Sequence, residues 1–233
     1  MKVLKHHDLE EDIVLSSDSY YRLVIQNPIY LRKAIQALKT QIDSDDGDIL
    51  YLVDGKEEKL SKDAYFIEDP LDFDLDEKKL SGLIQKDLSS HISYSQKEAY
   101  ETLMNQISEY LKSISYDYPI PLSFDTDISL ASFLKDAGIT GVAQEEETFC
   151  DRILNEVKKL VFLLNISLFF FLNLEDYLTE EEQKLLFHSF RLLEVDFVLL
   201  STHEKNPLLP DEKEIIIDKD LCELSVDGKS TES

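Results

Sequence analysis

Residues 167–182 read SLFFFLNLEDYLTEEE, an apolar run that ends on Asn173 and is followed by Glu175, Asp176 and a string of glutamates. A buried strand ending in a carboxylate is one way to hold magnesium beside a nucleotide's phosphates. Here the strand would end in a neutral amide. Thr179 and Glu182 have the Thr-x-x-Glu spacing of a capping box, and Glu180 and Glu181 suit the positive N-terminal end of a following helix. Helix capping accounts for these acids better than a metal site does.

The phosphate side of a nucleotide site is also missing its parts. A P-loop needs a glycine-rich turn between strand and helix, with Lys and Ser/Thr for charge and magnesium. The corresponding junction, VIQNPIYLRK (24–33), has no glycine and no Lys-Ser or Lys-Thr pair, and Pro28 removes an N–H. Gly138 and Gly141 in DAGITGVAQ lack a lysine. Nucleotide hydrolysis is not expected.

Hard-cation ligation is the remaining chemistry the acids suit. DSDDGDILYLVD (43–54) starts and ends like an EF-hand loop, but Gly47 is one position early and a strand-like ILYLV runs through it. Better placed are Asp125 and Asp127 before one helix, and Glu145, Glu146 and Glu147 at the start of another. Carboxylates clustered this way can ligate calcium, and a helix N-terminus accounts for each pair almost as well. Histidines 6, 7, 91, 188 and 203 are scattered, and no serine stands in a nucleophile-elbow sequence. A metal-dependent phosphatase or nuclease is permitted by the carboxylates but specified by nothing.

The elements that position these groups follow from periodicity. YYRLVIQ (20–26) reads as a strand, and Asn27-Pro28 opens a helix carrying Leu31, Ala34, Ile35, Leu38 and Ile42. ILYLV (49–53) and AYFIED (64–69) return as strands. Leu80, Leu83, Ile84 and Leu88 then mark a helix, and Ala99, Leu103, Ile107, Leu111 and Ile114 a longer one over 94–115. ISLASFLKDAG forms a short helix closed by Gly138, and Phe149 to Leu164 a fourth. Strand 168–173, helix 180–193 and strand 195–201 restore the βα alternation. The expected fold is α/β, one head built from both chain ends with an inserted helical lobe: head 1–73, lobe 74–165 with the end of its last helix returning to the head, head 166–225 and tail 226–233.

The 233 residues hold 48 acids against 24 basic residues, a net charge of −24, and 43% hydrophobic residues suit a globular chain. Such a surface repels nucleic acid in bulk and attracts divalent cations. Cys150 and Cys222 suit a reduced compartment. The opening MKVLKHHDLEED has no apolar signal core, and the apolar stretch 160–172 falls short of the roughly 20 residues of a membrane span. The expectation is a soluble, cytoplasmic protein.

With these elements placed, the chain resembles the Csn accessory proteins of type II-A CRISPR systems, which act in spacer acquisition. DPLDFDLDEKKLSGLIQKDL (69–88), DISLASFLKDAGI (127–139), LFFFLNLEDYLTEEEQKLL (168–186) and VDFVLLSTHE (195–204) carry the resemblance, by their order and spacing over about residues 18–205. It implies an α/β head related to P-loop ATPases but without their nucleotide site, and a helical leg. It further implies a non-enzymatic, ring-shaped homotetramer, stabilised by calcium, that takes up linear double-stranded DNA. The implied partners are the CRISPR integrase pair and the RNA-guided nuclease. Lys135 lies in a matched motif as a DNA contact; Lys78, Lys79, Lys86, Lys158 and Lys159 are assigned by region, although acids outnumber bases there. The competing expectation is an acidic α/β adaptor that docks a basic protein without touching DNA.

Overall fold

The computed structural model describes residues 1–16, 18–125, 128–141, 148–205 and 207–228. In chain order its elements are β1 (Lys2–Lys5), β2 (Ile13–Leu15), β3 (Tyr20–Ile25), α1 (Pro28–Ser44), β4 (Leu50–Val53), β5 (Lys56–Glu57), the one-turn α2 (Leu60–Asp63) and β6 (Ala64–Ile67). Then follow α3 (Glu77–Ser95), α4 (Lys97–Asp117), α5 (Leu130–Asp136), α6 (Phe149–Leu164), β7 (Leu168–Leu172), α7 (Glu180–Leu192), β8 (Asp196–Ser201), β9 (Glu212–Ile217) and β10 (Glu223–Asp227). The chain divides into two compact units, residues 1–74 with 147–233, and residues 75–146.

The first unit is a mixed α/β body. Its larger sheet has the order β10-β9-β3-β8-β7-β6, parallel from β9 to β6 with β10 antiparallel on the edge. A sheet covered on both faces calls for near-continuous apolar strands. Leu168, Phe169, Phe170 and Phe171 of β7 meet that demand and are all buried. On one face Phe187 and Phe190 of α7 pack against Tyr20, Phe171 and Phe197, with Phe171 and Phe190 stacked at 5.5 Å. On the other face Tyr21, Phe170, Val198, Leu200 and Ile215 join Leu38 of α1 and a smaller antiparallel sheet, β2-β1-β4-β5.

The helix termini follow their local chemistry. Asn27 caps α1 and Pro28 occupies its first turn. Thr179 and Glu182 form the expected capping box on α7, and Thr148 with Asp151 forms another on α6.

Several expectations change. The strand at 49–53 lies in the smaller sheet, where its register with β1 pairs Val3 with Leu52. The helix expected over 94–115 is α4, Lys97–Asp117; the break between it and α3 falls at Gln96, whose backbone leaves helical geometry (φ −132°, ψ 21°). The lobe expected over 74–165 corresponds to a unit ending at 146, because α6 buries Ile153, Val157 and Leu160 and packs with α7 in the first unit. The tail expected from 226 instead contributes Val226 and Asp227 to β10, paired with Glu214 and Lys213; residues 229–233 lie outside the described ones.

The second unit consists of α3, α4 and α5. Leu80 and Leu134 are buried in it, Tyr100 and Phe133 meet edge-on, and the Tyr100 hydroxyl donates to the Ile128 carbonyl at 2.8 Å. Nothing in α4 is buried.

The stacked aromatic layer between α7 and the sheet dominates the first unit's core. Phe190→Ala is expected to cost about 3–5 kcal/mol, read as an earlier midpoint in urea unfolding at unchanged slope.

Candidate functional site

Open parallel sheets bind ligands beyond the carboxyl ends of their strands, where the order of connections reverses. In the first unit this edge is made by the ends of β3, β7, β8 and β9, with β3 lying between β8 and β9.

At the end of β3, Asn27 takes the place a phosphate-binding turn would occupy. Its side-chain oxygen accepts from the Ile29 and Tyr30 N–H groups at 3.0 and 3.1 Å. Two donors that a phosphate would use are therefore satisfied within the chain. The Asn27 amide donates to the Lys219 carbonyl at 2.9 Å, and Gln26 donates to Glu204 at 2.8 Å.

At the end of β7, Asn173 adopts left-handed backbone geometry (φ 50°), and its N–H donates to the Leu200 carbonyl at 2.8 Å. Asn is among the few residues that enter this region readily. The turn swings Glu175 inward beneath α7, where it is buried. Glu175 accepts from Arg22 Nη1 at 3.0 Å, and Glu212 accepts from Arg22 Nε at 2.7 Å. Glu214, opposite Arg22 in the β3–β9 register, lies 3.7 Å away. Asp176 pairs with His203 at 2.9 Å.

Further contacts complete this buried network. Leu209 N–H donates to Glu212, Lys205 N–H to Glu214, and the Lys205 ammonium to Gln183. Burial pushes the Glu214 carboxyl above its ordinary pKa, against the Lys205 N–H and Arg22, and burial draws the Lys205 ammonium below its own. Sequence reasoning missed Arg22, Glu212 and Glu214. The signal was an arginine inside an apolar strand and two acids at i, i+2 leading into III.

The lysines assigned to DNA divide between the two units. Lys78, Lys79 and Lys86 are exposed on α3, and Lys135 is exposed in the last turn of α5. These two helices belong to the second unit, joined by the Gln85 amide on the Ile139 carbonyl at 3.3 Å. Lys158 and Lys159 lie on α6 in the first unit, and Lys159 is held by Glu156. The regional assignment passed over Lys97 and Lys112, both exposed on α4, with Lys97 3.7 Å from Glu101.

Of the calcium candidates, Asp125 is exposed; Asp127, Glu145 and Glu146 lie outside the described residues. In the loop 43–54, Asp45 instead binds the Ser61 N–H and hydroxyl at 3.0 and 2.7 Å. Among the described residues, the one trio of metal-ligating side chains whose donor atoms converge is His6, His7 and Asp8. No described helix is long and apolar enough to cross a membrane.

The fold and site define a mixed α/β protein with a helical insertion, whose strand-end acids and helix N–H groups are engaged internally. The family model described as CRISPR-associated protein (Cas_Csn2) matches residues 41–221, and the chain belongs to that family. No curated protein matches it. Similar solved structures include a bacterial Atm1-family ABC exporter with ATP bound, 11% identical, over 98% of this chain and 38% of that one, with a TM-score of 0.45. Another is a putative ABC transporter (ATP-binding protein) from Pyrococcus furiosus, 13% identical, over 92% and 97% of the two chains, with a TM-score of 0.41.

Removing Arg22 leaves buried carboxylates without their cation, so Arg22→Met is expected to destabilise by about 3–5 kcal/mol. Adding Glu175→Gln and Glu212→Gln should recover part of the loss in thermal unfolding. Glu214 has the opposite sign. Its raised native pKa means the folded state holds a proton the unfolded chain has released, so it lowers stability as pH rises from the ordinary glutamate range through the raised value. Glu214→Gln should flatten that slope in a pH series of unfolding midpoints; an unchanged slope would assign it elsewhere.

Proposed function

We propose that this CRISPR-associated chain is a non-catalytic, cytoplasmic, calcium-supported homotetrameric ring that binds linear double-stranded DNA during spacer acquisition. On this reading it works beside the integrase pair and the RNA-guided nuclease, and its head is a P-loop-ATPase-like scaffold without a nucleotide site. Family membership supports the setting. The sheet order, with a strand–helix turn beside the reversal of connections, and the closed β3–α1 junction support the scaffold.

The observation that carries the assembly is α4. Leu103, Tyr110 and Ile114, which share one side of the helix, are 40%, 67% and 39% exposed, and no residue of the helix is fully buried. With Tyr100 and Ile107 only half-covered in its own unit, the helix keeps an apolar stripe suited to another chain. A second copy is the partner this reading assigns. Hard carboxylates, with Asp125, Asp127, Glu145 and Glu146 as the candidate set, would take calcium.

DNA contact on this reading falls to lysines: the exposed Lys78, Lys79, Lys86 and Lys135 in the lobe, with the exposed Lys158 and the half-buried, Glu156-paired Lys159 on the head. Lysines meeting phosphates supply charge without reading bases, so binding is sequence-independent and steeply salt-sensitive. The excess of acids over bases favours the adaptor reading instead, in which a basic protein is held and DNA is not.

Three measurements decide. Light scattering should give a tetramer in calcium and a smaller species in chelator; a monomer in both would remove the ring. Leu103→Glu with Ile114→Glu should abolish the tetramer while leaving the circular dichroism of the chain intact, because neither residue is buried. In calcium, linear duplex should be retained in a band shift and a closed circle should not. Equal retention of both would end the threading reading, and retention of neither alongside capture of a basic protein would favour the adaptor.

A further inference from the structure

We propose that His6, His7 and Asp8 form a site for a borderline divalent transition metal of the zinc type. Two imidazoles and one carboxylate would be its protein ligands, with a fourth position left for water or another small ligand. The site lies in the turn between β1 and β2 and is independent of the calcium and DNA reading.

The chain folds this turn so that consecutive side chains converge. Leu9 N–H donates to the His6 carbonyl at 3.0 Å, closing the turn, and the two imidazole rings lie 4.3 Å apart, tilted by 36°. One donor atom from each residue falls within 4.8 Å of the others. His7 Nε2 is 3.1 Å from one Asp8 oxygen, and His6 Nδ1 is 4.0 Å from the other. Tetrahedral zinc, with bonds of about 2.0–2.2 Å, sets its ligand atoms about 3.4 Å apart. The His7–Asp8 contact lies a little inside that spacing and the His6–Asp8 contact a little outside it.

Two features bear on the donors. The Asp8 N–H donates to His6 Nδ1 at 3.2 Å, which sets the ring proton on Nε2; a metal bound at Nδ1 would take the place of this hydrogen bond on the nitrogen's single lone pair. The Tyr30 hydroxyl, on α1, lies near the Asp8 carboxylate, where it can give that ligand an outer support of the kind that orients metal ligands. Imidazole nitrogens select zinc, cobalt, nickel and copper over calcium, which takes oxygen donors.

The surroundings suit an exchangeable fourth position. His6, His7, Asp8 and Tyr30 line part of a cavity of about 480 Å³ whose other walls include Leu23, Ile25, Phe170 and Leu200. A cavity that is apolar apart from a few convergent polar groups is the usual form of a small-ligand site.

The test uses the full chain without a histidine tag. Zinc binding is followed by calorimetry in excess calcium, and cobalt by its visible ligand-field bands. One metal per chain is expected, undisturbed by calcium, with cobalt bands of the intensity that low coordination numbers give. His6→Ala with His7→Ala should eliminate binding, and Tyr30→Phe should weaken it about tenfold. Wild-type zinc affinity in the double variant, or no saturable binding by the wild type, would overturn the site. Circular dichroism in chelator checks the fold of each variant. Should the alanine pair fail to fold, the isosteric Asp8→Asn decides: unchanged zinc affinity would overturn the site, and a weakened affinity with the fold intact would support it.

Discussion

Arg22 sits in the middle of the larger sheet with 1% of its surface exposed, and that single buried cation constrains the first unit. A guanidinium does not shed its proton, and dehydrating it costs several kcal/mol unless carboxylates meet it directly. Glu212 and Glu214 meet it from β9, and Glu175 from the turn after β7. These partners are separated from Arg22 by 190 residues at Glu212 and 153 at Glu175. The ion cluster therefore ties together both ends of the chain across the insertion. It also fixes register, because shifting β9 by one residue would turn both of its glutamates to the opposite face and leave Arg22 with Glu175 alone.

The same cluster determines what the strand edge can do. Glu175 follows closely on a strand end, near where a nucleotide hydrolase needs a free carboxylate, yet its charge is committed to Arg22. Asn27 likewise commits its carbonyl oxygen to the first N–H groups of α1. Restoring phosphate chemistry would require freeing a buried acid and replacing a cap-and-proline junction with glycine. Each change works against an interaction that holds the sheet. The strand edge of the first unit is thus taken up by the chain's own contacts.

Local chemistry made part of this legible. Asn27-Pro28, Thr179-x-x-Glu182 and the left-handed Gly138 (φ 66°) act within a few residues of themselves, and each is found where sequence placed it. The buried run LFFFL declared itself as a covered strand. Pairing across long separations did not. KVLK (2–5) and IVL (13–15) become strands only because each pairs antiparallel within the smaller sheet, and isolated three- and four-residue segments carry little periodicity. EKEIII (212–217) opens with acids, which argue for surface until Arg22 is known to lie opposite them. His6 and His7 lacked a visible role for the same reason, since their convergence with Asp8 depends on the turn between β1 and β2.

The acidity of the chain bears on how DNA could be held at all under the ring reading. Repulsion from distant carboxylates is screened over roughly 8–10 Å at physiological salt, whereas lysine–phosphate contacts act at hydrogen-bond range. A duplex approaching any broad face meets the net −24 of each chain and gains few contacts. One seated along Lys78, Lys79, Lys86 and Lys135 gains all of them while the remaining acids are screened or met by calcium. On that reading the negative surface would act as a filter on geometry, disfavouring side-on encounters and leaving entry at an end as the productive one. Acidity and DNA binding are compatible because they act at different distances.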